Sequence, residues 1–153
     1  MIIQVQTTAF DPGAQLNALH AGELGVGAIA SFTGFVRDFN QGDTVSTLFL
    51  EHYPGMTEKA LSDIAKQAMQ RWKLNNVQIL HRVGLLQAGE AIVFVAACSA
   101  HRSDAFAACE FMMDYLKTRA PFWKKETTLE NERWVDARET DQLAAARWQT
   151  TED

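Results

Sequence analysis

A chain of 153 residues with 47% hydrophobic and 22% charged content has the composition of one globular domain with a sizeable core. We find no internal repeat or Pro-, Gly- or Ser-rich linker, so we expect a single domain over residues 1–153. The net charge of −5 argues against a general nucleic-acid binder. No apolar run approaches the roughly 20 residues of a membrane span. The N-terminal MIIQVQTTAF also differs from a signal peptide, so we expect a cytoplasmic protein without a membrane partner.

The N-terminal third alternates between strand-like and turn-like segments. Residues 2–8, 26–36 and 44–53 are rich in β-branched and aromatic residues, which predicts strands. Asp11 can cap a short helix with Pro12 at its first position, and Gly22 would end that helix. The turn-forming RDFNQGD separates the second and third segments, so we expect those two strands to form a hairpin-like pair.

The middle of the chain changes to helical spacing and back. With Thr57 as its N-cap, a helix is predicted by the apolar spacing of Leu61, Ile64, Ala65, Ala68, Met69 and Trp72. Residues 77–83 alternate as one strand, and the apolar run AIVFVAACSA over 91–100 is typical of a buried strand. Gly89 is expected in the turn between them.

A second long helix is predicted to begin at Ser103 and to end before Pro121, which forbids continuation. Its predicted apolar stripe is Phe106, Cys109, Met113 and Leu116. An extended segment should follow Pro121, then a short helix in DQLAAARWQ, with a frayed TTED end. The order of elements indicates an α+β fold.

The only two cysteines, Cys98 and Cys109, lie in apolar patterns without a CxxC pair, so we expect them to pack as small hydrophobes. His20 and His81 should be surface or strand residues, and His52 a structural histidine. No HExxH or comparable ligand spacing appears, so we expect no metal site.

The segment YLKTRAPFWKKE concentrates positive charge in an acidic chain. Lys117, Arg119, Lys124 and Lys125 contribute +4 to a net charge of −5, so the remaining residues sum to −9. This contrast favours a local anion site. The plainer alternatives are a solvated surface for the Lys124 and Lys125 pair, and a Lys117 that only complements the dipole of its helix.

Three long strings carry a resemblance. FTGFVRDFNQGDTVSTLFLEHYPGMTEKAL, HRVGLLQAGEAIVFVAACSAHRSDAF and MDYLKTRAPFWKKE, followed by RWVDA, resemble the large, catalytic subunits of molybdopterin synthase, the MoaE family. The resemblance runs in order from about Gly27 to Ala137. It implies an α/β hammerhead-type fold with antiparallel sheets and two main helices.

The resemblance also implies an activity and partners. The family is a sulfurtransferase of molybdenum cofactor biosynthesis that converts cyclic pyranopterin monophosphate to the dithiolene of molybdopterin. The sulfur comes from the C-terminal thiocarboxylate of a small ubiquitin-like subunit, so no cofactor is expected. Large subunits form the central homodimer of a heterotetramer, with one small subunit at each end.

Carried onto this chain, the resemblance implies that Lys117 and Lys124 are catalytic. Both also belong to the implied substrate-binding set, together with Phe35, Val36, Arg37, His101, Arg102, Lys125 and Glu126. The guanidinium groups of Arg37 and Arg102 suit phosphate, because each can bind two of its oxygens. Phe35 stands where relatives carry a basic side chain, so its contact is expected to be apolar or through the backbone.

Two other classes of protein remain open from the residues. One is a non-catalytic module that binds a pterin or nucleotide phosphate in the same cationic pocket. The other is a sulfurtransferase that carries sulfur on a cysteine. Convergence of Lys117 and Lys124 in a cleft open to a peptide tail, with both cysteines buried, would favour the thiocarboxylate enzyme over both.

Overall fold

The computed structural model describes residues 1–129, 131–135 and 138–149, which fold as an α+β protein. Its elements in chain order are β1 Ile2–Gln6, α1 Pro12–His20, β2 Ala28–Phe35, β3 Phe39–Asn40, β4 Asp43–His52, α2 Met56–Arg71, β5 Asn76–Arg82, β6 Gly84–Gln87, β7 Ala91–Ser99, α3 Arg102–Arg119, β8 Phe122–Thr128, β9 Glu132–Val135 and α4 Glu139–Ala146. The predicted α+β class and the two main helices, α2 and α3, are confirmed. The expected frayed end and the Ala137 boundary lie outside the described residues.

The first sheet has the strand order β1-β5-β7-β2. All its pairs are antiparallel except β1 with β5, which run parallel. Helices α2 and α3 cover one face of this sheet, and α1 packs against the other through Leu19. Because β5 and β7 are covered on both sides, nearly all their residues are buried. The apolar run of β7 confirms the predicted buried strand over 91–100.

The second sheet has the order β3-β4-β8-β9, with β6 also paired to β4. The predicted hairpin between residues 26–36 and 44–53 is therefore wrong: β2 pairs with β7 in the first sheet, whereas β4 pairs with β8 in the second. The turn segment forms the short β3, and the real hairpin is β3–β4. Strand composition identified both strands but not their partners, since pairing is a long-range property.

The observed N-cap of each long helix lies two residues before the predicted one. Gly55 is the N-cap of α2, with φ at 84°, and its N–H donates to the Glu58 carboxylate at 2.6 Å. Thr57 is instead fully buried, where its hydroxyl accepts from the Tyr53 N–H at 3.0 Å. His101, in extended backbone, precedes α3 in place of Ser103.

The predicted apolar stripe of α3 is correct except at its start. Cys109, Met113 and Leu116 are buried, but Phe106 is 65% exposed. The contact with the sheet begins at Ala105 and Ala108, because small side chains let the helix approach the strands closely. The predicted stop is confirmed: α3 ends at Arg119, two residues before Pro121.

Helix α4 confirms the predicted C-terminal helix and packs against α3. The Trp148 indole N–H donates to Asp114 at 2.6 Å, and Arg147 forms ion pairs with Asp114 and Glu110. This docking holds the segment before α4, which contains Arg138, against the body of the protein. No helix in the described part of the chain is long and apolar enough to cross a membrane.

Candidate functional site

A cavity of about 550 Å³ lies where the two sheets meet. Its walls come from the end of β2 and the residues after it, from β4, β5, β7 and β8, and from the last turn of α3. Arg138 and Asp141, at the start of α4, complete the wall. The cavity is thus lined by residues that lie far apart in the sequence, from Phe32 to Asp141.

Lys117 and Lys124 both face this cavity, one from the last turn of α3 and the other from β8. Pro121 ends the helix between them and lets the chain turn back along β4. Burial lowers the pKa of Lys124 to about 8, and the nearby positive charge of Lys117 contributes to this lowering. Lys124 is therefore a lysine that can give up and regain its proton close to neutral pH.

Four further charged groups share the cavity: Arg37, Arg138, Glu126 and Asp141. Glu126 is 4% exposed, and its Oε1 accepts a hydrogen bond of 2.5 Å from the Asn40 amide. The guanidinium groups of Arg37 and Arg138 both donate to Asn40 Oδ1, at 3.4 and 3.1 Å. Cations outnumber carboxylates here, so the cavity favours an anionic ligand.

His81 adds a neutral imidazole to the cavity wall. Its ring stacks on Phe122 with a centroid distance of 3.9 Å, and its Nδ1 lies 2.7 Å from the Arg82 carbonyl. Because a carbonyl only accepts, Nδ1 carries the proton and Nε2 is left with a lone pair. Burial lowers the pKa of His81 to about 3, with smaller contributions from Lys124 and Lys117. His81 is a strand residue, as the sequence predicted.

Phe35, Val36 and Arg37 line one edge of the cavity in sequence. Val36 is 5% exposed, and its N–H donates to the Glu90 carbonyl at 2.9 Å, which fixes the backbone at this edge. Phe35 is 54% exposed and presents an apolar ring at the rim. The expected apolar or backbone contact of Phe35 with the substrate stays a prediction.

Lys125 lies on the opposite face of β8 from its two neighbours. Its ammonium pairs with Glu132 at 2.7 Å and lies 5.7 Å from the centre of the Trp134 ring. Strand geometry accounts for this, because alternate side chains point to opposite faces and so Lys124 and Glu126 share the cavity. Lys125 belongs to the substrate-binding set that the resemblance implies, but its side chain does not line this cavity.

His101 and Arg102 are also outside the cavity of their own chain. They lie at the first turn of α3, whereas Lys117 lies in the last turn. Fifteen residues of α-helix separate Arg102 from Lys117, or about 22 Å along the axis. Both side chains are exposed at that end of the helix.

The sequence reasoning missed Asn40, Arg138 and Asp141 and gave His81 no functional role. Asn40 lies in a turn-like segment, where asparagine is common. Arg138 and Asp141 lie beyond Ala137, where the resemblance to the family ends. Alternation in residues 77–83 identified the strand that carries His81, but it could not show that this ring faces a cavity.

Both cysteines are buried, as predicted: Cys98 is fully buried and Cys109 is 7% exposed. Burial raises the pKa of Cys98, and it raises that of Cys109 to about 11. A thiolate is therefore unfavourable at either position, which argues against a sulfur-carrying cysteine. Within the described ranges, no group of three or more His, Cys, Asp or Glu side chains is arranged to hold a metal ion.

Known proteins are similar to this chain over most of its length. A family model described as MoaE protein matches residues 5–119. The molybdopterin synthase catalytic subunit of Pseudomonas aeruginosa is 63% identical over 149 residues, covering 97% of this chain and 99% of the relative.

Solved structures show the same fold. The molybdopterin biosynthesis MoaE protein from Burkholderia ambifaria superposes with a TM-score of 0.82 at 56% identity, covering 97% of each chain. Molybdopterin synthase from Staphylococcus aureus gives a TM-score of 0.79 at 31% identity, covering 86% of this chain and 95% of the other.

The two-sheet fold and its cavity define an α+β protein whose cationic cavity favours an anionic ligand and contains a lysine with a lowered pKa. Together with the matches above, they show that the chain belongs to the MoaE family.

Proposed function

We propose that this protein is the catalytic subunit of a molybdopterin synthase and transfers sulfur to cyclic pyranopterin monophosphate. The donor is the C-terminal thiocarboxylate of a small ubiquitin-like subunit. The observation that carries the proposal is the convergence of Lys117 and Lys124 in one cavity with Arg37 and Arg138. Substrate phosphate and donor thiocarboxylate are both anions, and these four cations allow them to meet without repulsion.

The chemistry requires two proton movements for each sulfur atom. The thiocarboxylate sulfur forms a bond to a substrate carbon as an oxygen leaves, and that oxygen needs a proton. Water then adds to the carbonyl of the resulting thioester, which leaves the sulfur on the substrate and a carboxylate on the small subunit. With a pKa of about 8, Lys124 can donate the first proton as an ammonium and accept one from water as an amine.

The other residues of the proposed site bind and orient. Arg37 binds the substrate phosphate. Glu126, on β8, accepts a hydrogen bond from Asn40 and so holds the segment that contains Arg37 and Asn40 against β8. Phe35 and Val36 form the apolar edge beside the substrate. Lys125 contributes only a positive charge on the opposite face of β8, since its ammonium forms an ion pair with Glu132.

A second copy of the chain gives His101 and Arg102 a role in substrate binding. Both lie about 22 Å along α3 from Lys117, so a single copy cannot bring them to its own cavity. We propose that the protein is the central homodimer of a heterotetramer and that these two residues serve the cavity of the other copy. The outer face of the second sheet offers a surface for association, where Phe49, Leu85 and Trp134 are between 41% and 57% exposed.

The proposal also covers cofactor use and cellular location. The sulfur arrives on the partner's thiocarboxylate, so the reaction uses no cofactor of this chain. We place the protein in the cytoplasm, where the buried cysteine thiols match the reducing conditions.

Reconstitution tests the proposal directly. The protein is mixed with thiocarboxylated small subunit and cyclic pyranopterin monophosphate, and molybdopterin is measured, with the Lys124→Ala and Lys125→Ala variants in parallel. Product from wild type and Lys125→Ala but not from Lys124→Ala is the expected result. Tight binding of the pterin phosphate without product, from a folded protein and an active donor, would establish the non-catalytic binding module instead.

A further inference from the structure

We propose that Asn40 is the positioning residue that sets Arg37 and Arg138 as a two-guanidinium clamp for a phosphate ester. The proposal rests on the proposed function for the identity of the substrate, but the clamp itself is a feature of this chain. Nothing in the motifs around Arg37 distinguished this asparagine, whose role comes from four hydrogen bonds to side chains of Arg37, Glu126, Arg133 and Arg138.

The side-chain oxygen of Asn40 accepts hydrogen bonds from both arginines. Oδ1 accepts from Arg138 Nη2 at 3.1 Å and from Arg37 Nη2 at 3.4 Å. Two guanidinium groups repel one another, and without a shared acceptor they would separate into solvent. Holding both on one oxygen places their remaining N–H groups around a common space beside the cavity, which suits the several oxygens of a phosphate.

The donor side of the same amide fixes which way the group points. Nδ2 donates to Glu126 Oε1 at 2.5 Å, and Glu126 is a buried carboxylate on β8. The reverse orientation would set an NH₂ group against two guanidinium donors and an amide oxygen against a carboxylate. Only one orientation of Asn40 therefore satisfies its neighbours, so the acceptor is always presented to the arginines.

The backbone of Asn40 is anchored as firmly as its side chain. Its carbonyl accepts from Arg133 Nη2 at 2.8 Å, and Arg133 also binds Asp43 at 2.7 Å. Asn40 pairs with Asp43 across the β3–β4 hairpin, whose two turn residues, Gln41 and Gly42, have φ values of 53° and 84°. Positive φ at both positions is the geometry of a tight two-residue hairpin turn.

These contacts join three separate segments at one side chain. Arg37 follows β2, Glu126 lies on β8, and Arg138 precedes α4. Arg147 and Trp148, which follow α4, bind Asp114 of α3. This contact restrains α4, and with it the backbone position from which Arg138 contacts Asn40. Pre-placing both cations lowers the ordering cost of binding a phosphate, so the loss of Asn40 should act on affinity more than on the chemical step.

The test uses Asn40→Ala and Asn40→Asp, with Asn17→Ala on the exposed face of α1 as the matched control. Inorganic phosphate binding to each isolated protein is measured by calorimetry, and kcat and KM for the pterin phosphate are measured in the reconstituted synthase. We expect Asn40→Ala to weaken phosphate binding and raise KM by about 10-fold, the range of one charged hydrogen-bond contact. The value of kcat should change by less than about 3-fold.

Asn40→Asp separates positioning from a structural role in the hairpin. Aspartate has nearly the same shape and suits a turn, so a structural role predicts that this variant resembles wild type. Positioning predicts weaker phosphate binding than in Asn40→Ala, because the new carboxylate occupies the two arginines itself and opposes Glu126. Circular dichroism and melting temperature confirm that each variant is folded.

Two results would overturn the role of Asn40: phosphate affinity in folded Asn40→Ala equal to that of Asn17→Ala, or wild-type affinity in Asn40→Asp. A different pair of results would show that the proposed function is wrong while the role of Asn40 is right. If wild type makes no molybdopterin but its phosphate binding still depends on Asn40, the clamp stands and the reaction assignment fails.

Discussion

Lys117 and Lys124 face one cavity from opposite sides of the Pro121 break, and the positive charge of Lys117 helps to lower the pKa of Lys124 to about 8. The break brings together two amines that a continuous helix would have separated along its axis. Each lysine has a distinct part in this arrangement. Lys124 is the buried amine with the lowered pKa, and the charge of Lys117 contributes to that lowering.

The first prediction concerns this contribution. In Lys117→Met the positive charge is gone and the side-chain volume is nearly kept, so the pKa of Lys124 should rise from about 8 toward 10.5. The Cε chemical shift of Lys124, followed against pH by NMR, measures it. Lys125→Met is the control, since that side chain lies on the other face with Glu132. An unchanged titration of Lys124 in Lys117→Met would show that burial alone sets its pKa.

The second prediction concerns turnover. Lys117→Ala should reduce turnover by about 10²-fold or more if Lys117 takes part in proton transfer, whereas Lys125→Ala should cost far less. Lys117→Arg keeps the charge but cannot release a proton near neutral pH, so substrate binding should survive while turnover falls. Substrate affinity and molybdopterin formation are measured for all three folded variants. Wild-type turnover in Lys117→Arg would mean that Lys117 supplies charge alone.

Local signals predicted much of this fold. Helical spacing identified α2 and α3, Pro121 gave the end of α3, and the apolar patterns around Cys98 and Cys109 predicted their burial. The pairing partners of β2 and β4 could not be predicted, because each strand pairs with a segment far away in the sequence. The four-residue β6 was missed because so short a segment carries too little pattern.

The site was predicted only in part, for related reasons. Charge contrast and the family resemblance together indicated Lys117 and Lys124, whereas Lys125 of the same segment lies on the opposite face of β8 with Glu132. Asn40 and Arg138 gave no such signal, since their roles arise from a contact between distant parts of the chain. Phe106 shows the opposite error: a large apolar residue at helical spacing can still face solvent.

A third prediction addresses the source of sulfur. The double change Cys98→Ala with Cys109→Ala should leave sulfur transfer largely intact in protein that remains folded, because both thiols are buried and their pKa values are raised. Some stability should be lost, about 1 kcal/mol or more, as core atoms are removed. Turnover with thiocarboxylated small subunit and the urea midpoint are measured together. A folded double variant without any transfer would support the cysteine-dependent alternative.

A fourth prediction tests the close approach of the chain before β2 to the end of β7. A Cβ built on Gly27 would lie 2.2 Å from the Ala100 carbonyl oxygen, so the backbone itself would have to shift. Gly27→Ala should therefore destabilise the protein by about 1–3 kcal/mol, the usual cost of overpacking. Gly25→Ala is the matched control, since its Cβ would meet only the Asn75 side chain at 3.6 Å. Equal melting temperatures for the two variants would show that the backbone at Gly27 has room for a side chain.

The last prediction concerns acid stability. His81 is 3% exposed, and its pKa is lowered from 6.5 to about 3 in the folded protein. Between these two values the unfolded chain binds a proton that the folded protein does not, so this residue makes stability fall as pH drops from 6.5 toward 3. The slope for one such proton is on the order of 1.4 kcal/mol per pH unit.

Urea unfolding at a series of pH values measures this slope. His81→Gln removes the titrating ring, so the free energy of unfolding should depend less steeply on pH than in wild type, by about one proton across that window. Its stability at a pH of about 7.5 should be lower, because the stacking on Phe122 is lost. His20→Gln, on the exposed surface of α1, should keep the wild-type slope. Parallel curves for wild type and His81→Gln would show that His81 binds protons equally in the folded and unfolded chain, so that folding does not lower its pKa.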